Sequence, residues 1–262
     1  MDFLNRLQPL LQKEGLDILA HSYIALSGLG GVGGVAFQAL VRSGVRRFRL
    51  AENGIFDPPD MNRQPGATAF TMGRPKLDVY VEWAHAINPA IELELYPDGI
   101  NVDNIEGFLQ GADAYIGVID AEKGQDVKEK SGKLSARMGI PLFTAGAIGF
   151  GALLVNHHPD GMTPATFWSM AERQGRNGGI LPMMIAESFH PEIRARIEQG
   201  FAQGILSTTA VGANMAGTVL ANEVMTYLLQ PLGWLDREPL FAPQYLAIDL
   251  LNLNMTVSSV ED

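Results

Sequence analysis

The residues best suited to chemistry begin with Gly28, Gly30 and Gly33, which have G-x-G-x-x-G spacing, with Gly31 and Gly34 added. Such a turn between a strand and a helix brings backbone N–H groups and a helix N-terminus against a phosphate. No G-K-[ST] follows, so this is not a Walker A loop. Glu52, at the end of the second predicted strand, is placed to hold ribose hydroxyls. Those signals fit a nucleotide site, a nicotinamide dehydrogenase, or a tight crossover that binds nothing. Beyond Glu52 come Asn62, Arg63 and Gln64 in a loop, and Lys76 at a helix start. Hydride transfer has no use for an arginine and a lysine aimed at phosphates. Displacement of pyrophosphate does, because negative charge moves onto the leaving oxygens. Asp120, at the C-terminal end of a core strand, is the candidate magnesium ligand.

The elements that must position these residues follow from the hydrophobic pattern. The segment 1–17 reads as an amphipathic N-terminal helix. The order after it is strand, glycine turn, helix ended by Gly44, and a second strand closing near Glu52, the first βαβ unit of a parallel sheet. Further on come a helix over 76–87, a strand over 91–96, a buried strand over 114–119, a helix over 127–138 and the strand IPLFTA. After Gly151 polar turns predominate, with a short helix around 165–172. An apolar helix over 215–229 and a strand in QYLAIDLL complete the pattern. The predicted fold is α/β, a Rossmann-like, mostly parallel sheet with helices on both faces and a C-terminal substrate-side extension. A nucleotide-binding core spans 18–155, and a substrate-side and C-terminal region spans 156–262, continuous with the core.

Composition excludes several classes. With 262 residues the chain can build a substantial core. Nineteen basic against 29 acidic residues give a formal charge of -10, which argues against nucleic acid or an anionic membrane as partner. The absence of cysteine removes disulfides, thiolate zinc sites, iron–sulfur clusters and a cysteine nucleophile. The N-terminus lacks the basic start and unbroken apolar core of a signal peptide, and the glycine-broken stretch 140–155 is short for a membrane span. A soluble, cytoplasmic protein is expected.

The motifs together resemble the E1-like, ThiF/MoeB/HesA-type adenylyltransferases. GLGGVGG resembles their nucleotide loop, LVRSGVRRFRL the following helix and second strand, and MNRQ their signature loop. GRPK and the later Asn88-Pro89 resemble what comes next, and TTAVGANMAGTVLANEVMTYLL resembles a helix near their C-terminus. The likeness covers about residues 15–155 plus that helix. It implies ATP and magnesium as cofactors and activation of a carboxylate as an acyl-adenylate, and without cysteine no zinc is expected. The carboxylate would belong to a small protein, a peptide or a metabolite. It also implies a homodimer, which the surplus apolar surface of the 215–229 helix would favour. Carried over by match, Arg63 and Lys76 contact ATP phosphates and Asp120 binds or positions magnesium–ATP. Glu52 takes the ribose, Gln64 shapes the pocket, and Arg6 reaches a partner's site.

The departures are specific. D-x-D after the second strand is Glu52-Asn53-Gly54, so the second acid is missing. The asparagine four residues before the signature glutamine is Asp60, and the asparagine after Asp120's position is Ala121. The cysteines of a thioester or persulfide carrier and of a zinc site are absent. A ubiquitin-type relay within this polypeptide is excluded, whereas adenylate formation needs no sulfur. The lost acid leaves open an ATP-binding relative without chemistry. His157, His158 and Asp160 read as a polar loop rather than a metal site, and Arg42, Arg46, Arg47 and Arg49 as a surface or dimer cluster.

Overall fold

The computed structural model describes residues 3–119, 124–174, 189–234 and 236–261. Its strands are β1 (Tyr23–Ser27), β2 (Arg47–Ala51), β3 (Glu92–Tyr96), β4 (Ala114–Gly117), β5 (Leu142–Ile148), β6 (Gly151–His157), β7 (Gln244–Asp249) and β8 (Asn254–Ser259). They form one sheet in the order β3-β2-β1-β4-β5-β6-β7-β8. The first five in that order pair in parallel and the rest antiparallel. The helices are α1 (Gln8–His21), α2 (Gly31–Arg42), α3 (Lys76–Ile87), α4 (Ile105–Leu109), α5 (Gln125–Arg137), α6 (Pro164–Gln174), α7 (Pro191–Ala202) and α8 (Ala210–Leu229).

Successive strand residues feed opposite faces, as the pleat demands. Ile24 and Leu26 of β1 join Phe37 of α2 and Leu220 of α8 in one core, while Ala25 joins Phe108 and Leu134 in another under α4 and α5. Leu153 and Val155 of β6 pack with Tyr245 of β7, Phe167 of α6 and Ile197 of α7 in a third. The Rossmann-like α/β architecture is therefore present, with its antiparallel half continuous in the same sheet. The strand order reverses between β1 and β4, and their carboxyl ends open the crevice where ligands bind in such sheets.

Several elements differ from the sequence reading. The glycine-broken stretch 140–155 contains a hairpin, β5 turning at Gly149-Phe150 into a wholly buried β6. Residue 155, the predicted end of the nucleotide-binding core, lies inside β6. The N-terminal helix starts at Gln8 and runs on to His21, with a kink at Gln12. β8, exposed over most of its length, has no apolar run to reveal it. The apolar helix is α8, buried against α2, β5 and β6, so its hydrophobicity is spent inside this chain. It supplies no argument for a dimer. No helix among the described residues is long and apolar enough to cross a membrane.

The arginine cluster divides. Arg42 lies over the Trp83 ring and Arg47 over the Tyr23 ring, both at the surface. Arg49 is buried on β2. Its Nη1 donates to the carbonyls of Gly107, Phe108 and Gln110 at the end of α4, and its Nε donates to Glu94 at 2.8 Å. Partial burial pushes the Glu94 carboxyl up, but hydrogen bonds from Tyr23 and Arg49 outweigh it and hold it below the usual range. Its contribution is thus present above the ordinary carboxylate pKa and lost as pH falls through the depressed one. Arg49→Met should cost about 2–4 kcal/mol, because three carbonyls and a carboxylate lose their donor. Urea unfolding that moved by less than about 1 kcal/mol would remove this helix-anchoring role, since a buried donor is worth at least that much.

Candidate functional site

The glycine loop leaves β1 at its carboxyl end. Gly28 has φ +94° and its N–H donates to Ala51 O of β2 at 2.9 Å. A Cβ on Gly33 would stand 1.9 Å from Gly28 O, so the loop closes on the first turn of α2 only because that position has no side chain. Gly30 is the N-cap residue of α2, with no side-chain cap, which leaves the first-turn amides unspent among the described residues. Gly31 sits where three segments meet, since a Cβ there would be 3.3 Å from both Arg63 O and the Ala213 methyl of α8.

Glu52 is tied to this loop. Leu29 N–H donates to Glu52 Oε2 (2.6 Å) and Gly54 N–H donates to Oε1 (2.7 Å). Each oxygen keeps a lone pair for a ligand hydroxyl.

The cations arrive on a long excursion of chain. Residues 54–56 pair with 73–76 through Phe56 N–H to Arg74 O, Gly73 N–H to Phe56 O and Lys76 N–H to Gly54 O. That ribbon closes the loop and delivers Lys76 as the first residue of α3, beside the short 3₁₀ turn Pro58–Asn62. Lys76 Nζ lies 3.0 Å from Asp60 Oδ2, the two side chains 13 % and 8 % exposed. Arg63 Nη2 is 3.8 Å from Asp60 Oδ1, and its Nη1 donates to Pro59 O and Asn62 Oδ1. Gln64 Nε2 donates to Asp60 Oδ1, while Gln64 Oε1 is buried with no partner among the described residues. Asn62 Nδ2 donates to Thr208 O (3.2 Å), pinning the loop to the chain that enters α8.

Sequence-distant groups thus converge on one helix N-terminus and one strand end. The observation that decides identity is a family-wide match: the ThiF family model covers residues 4–262. The chain belongs to the ThiF family.

Its ThiF-family relatives include the tRNA threonylcarbamoyladenosine dehydratase of Bacillus subtilis, 35 % identical over 133 residues, which are 51 % of this chain and 52 % of that one. HesA of Nostoc sp. is 31 % identical over 146 residues, 56 % of each chain. The sulfur carrier protein adenylyltransferase of Thermus thermophilus is 28 % identical over 152 residues, 58 % of this chain and 55 % of that one. The chain spans about half the length of the curated relatives it matches. Among solved structures, Escherichia coli MccB with ATP superposes with a TM-score of 0.72 at 18 % identity, covering 98 % of this chain and 71 % of that one, which shows a common fold.

Within this ThiF-family chain Gly28, Gly30, Gly31, Gly33, Glu52, Asn62, Arg63, Gln64 and Lys76 all border the α2 N-terminus or the adjoining loop. Asp120 lies outside the described residues, as does Ala121. Asp60 is the member that motif reading missed, having registered only as a departure from asparagine. The available signal was an acid behind two prolines and just ahead of Arg63 and Gln64, in a capping-box pattern with Asp57. Arg6 is exposed on the N-terminal turn. Leu4 lies 3.2 Å from where a Cβ on Gly44 would be, which puts this segment at the opposite end of α2 from the glycine loop.

The substrate-side candidates separate too. His157 is buried, and its Nδ1–H donates to Met162 O (2.9 Å), with burial holding the imidazole below its ordinary pKa. His158 turns instead to Asp160. Among the described residues no group of three or more His, Cys, Asp or Glu could hold a metal ion. Phe167 is a core residue, whereas Trp168 is partly exposed.

Proposed function

We propose that this chain activates a carboxylate as an acyl-adenylate at the expense of ATP, in the cytoplasm, without a cysteine thioester or persulfide. The observation that carries this reading is the convergence of Lys76, Arg63 and Gln64 on the glycine loop. A dehydrogenase would leave those three side chains without work. ATP enters as substrate. The loop and the unspent α2 amides suit its phosphates, and Glu52 suits its ribose. A carboxylate oxygen attacks the α-phosphorus, the bond to the bridging oxygen breaks, and pyrophosphate leaves with the charge that Lys76 and Arg63 are placed to stabilise. Catalysis by positioning and charge needs no side-chain nucleophile, in keeping with a sequence that has no cysteine. Magnesium, through Asp120, belongs to the same reading, and zinc does not.

The acid is proposed to be the C-terminus of a small protein or peptide, or a metabolite. The Thermus relative, named as a sulfur carrier protein adenylyltransferase, and MccB structures holding MccA support a polypeptide acid. A homodimer in which Arg6 serves the partner's site also belongs to this proposal, on the family resemblance alone.

Carboxylate-dependent exchange of labelled pyrophosphate into ATP tests the reading, with calorimetric titrations of ATP and NADH beside it. Exchange with any one acid supports it. ATP binding without exchange across ubiquitin-like tails, peptides and small acids would indicate a non-catalytic binder. NADH binding without ATP binding would favour the oxidoreductase instead.

A further inference from the structure

Asp60 has more partners than Glu52, the other described acid beside this loop, and its position is costly. A carboxylate buried this deeply must be paired or hydrogen-bonded throughout. Lys76 is misplaced by helix rules, because a cation at the first residue of α3 opposes the helix dipole. Each unfavourable placement answers the other at 3.0 Å. Asp57 N–H adds a contact to Oδ2 at 3.3 Å, so the carboxylate is also held by its own turn.

Two consequences follow for the loop. Lys76 and Arg63 repel one another, and Asp60, in contact with both, lets them stand together beside the glycine loop. An ionised carboxylate only accepts hydrogen bonds, so Gln64 must turn its amide nitrogen toward Asp60 and its oxygen away. That oxygen is the buried, unpartnered Oε1, and the amide lies against Gly30, whose Cβ position is 3.8 Å from Gln64 Nε2. Asparagine at position 60 would satisfy either amide orientation and would leave the two cations unscreened. Gly54 completes the arrangement: a Cβ there would stand 2.9 Å from Glu52 Oε1 and 3.3 Å from Lys76 Cε. The missing second acid therefore leaves room for the Lys76 stem to reach Asp60.

We infer that Asp60 is a positioning residue of this site, holding Lys76 and Arg63 together beside the glycine loop and fixing the Gln64 amide with its oxygen free. The inference rests on the adenylylation reading above. Asp60→Asn should lower kcat for pyrophosphate exchange by about 10- to 100-fold without raising KM for ATP, because aim is lost while a repelling charge is removed. Calorimetry should show ATP binding at least as tight as in the wild type. In a Lys76→Ala background the same change should cost less than about 3-fold, since the larger part of its effect passes through that lysine, its nearest cation. Asp60→Glu, which keeps the charge, should recover part of the rate.

An Asp60→Asn enzyme with wild-type kcat, or a raised KM at unchanged kcat, overturns the inference. So does an equal loss with and without Lys76. If Asp60→Asn does not fold, Asp60→Glu carries the test alone. Reduced kcat at unchanged KM and melting temperature supports the role, and wild-type kcat overturns it. Exchange by the wild type that Lys76→Ala impairs and Asp60→Asn does not would end the role of Asp60 alone. No ATP binding by the wild type would end the underlying reading as well.

Discussion

Lys76→Ala is expected to lower the rate of adenylate formation by about 10²-fold or more, the scale of losing a group that stabilises developing charge. The ammonium is not a surface charge at a helix start. Its stem passes Gly54, its Nζ lies 5.6 Å from the Phe56 ring centroid, and its partner is a buried carboxylate. The substitution should therefore also cost about 1–3 kcal/mol, because Asp60 stays buried and loses its nearest cation. Arg63 and Gln64 still contact that carboxylate, which keeps the cost below that of a bare buried charge. Exchange kinetics under conditions where circular dichroism shows a folded protein separate the two effects. Wild-type exchange by the alanine variant, with an established carboxylate substrate, would remove Lys76 from the mechanism.

Gly33→Ala should abolish measurable ATP binding and destabilise the protein by about 3 kcal/mol or more, a backbone overlap at the upper end of overpacking costs. The new methyl would sit 1.9 Å from Gly28 O and 2.9 Å from Val118 Cγ2. Gly28 cannot retreat easily. Its N–H is bonded to Ala51 O, and its own Cβ position is 2.6 Å from Val118 O at the end of β4. Moving the loop would break its contacts with both neighbouring strands and misalign the α2 amides. Gly146→Ala is the matched control, since no described residue lies within 4 Å of its Cβ position, and it should be nearly silent. Calorimetric ATP titration and urea unfolding of both variants check the pair. Equal behaviour of the two would show that the loop tolerates a side chain at Gly33.

Local pattern was informative wherever the chain's neighbours in space are also neighbours in sequence. The helix over 76–87 follows from apolar spacing after a proline and has the predicted bounds. The turn from β1 through Gly28 to α2 and on to Glu52 lies within one βαβ unit, so its spacing and its contacts carry the same information. The β5–β6 hairpin was opaque because both faces of β6 are buried, which erases the alternation that marks a strand. α8 was legible as a helix but not as a core helix, because apolar residues all round look alike whether they face a partner chain or their own sheet.

Sequence alone determined the family, the α/β fold, the glycine loop, the acid beside it and the absence of cysteine from this chain. Each is written in residue types at short, fixed spacing. Tertiary structure alone decided that Arg49 is a buried anchor for α4 rather than part of a surface patch. It also decided that Lys76, Arg63 and Gln64 share the buried carboxylate of Asp60. Those pairings depend on where the 54–56 and 73–76 segments meet and on how β2 faces the end of α4. No local spacing encodes such closures, because they form only when the whole sheet and its covering helices bury their apolar faces together.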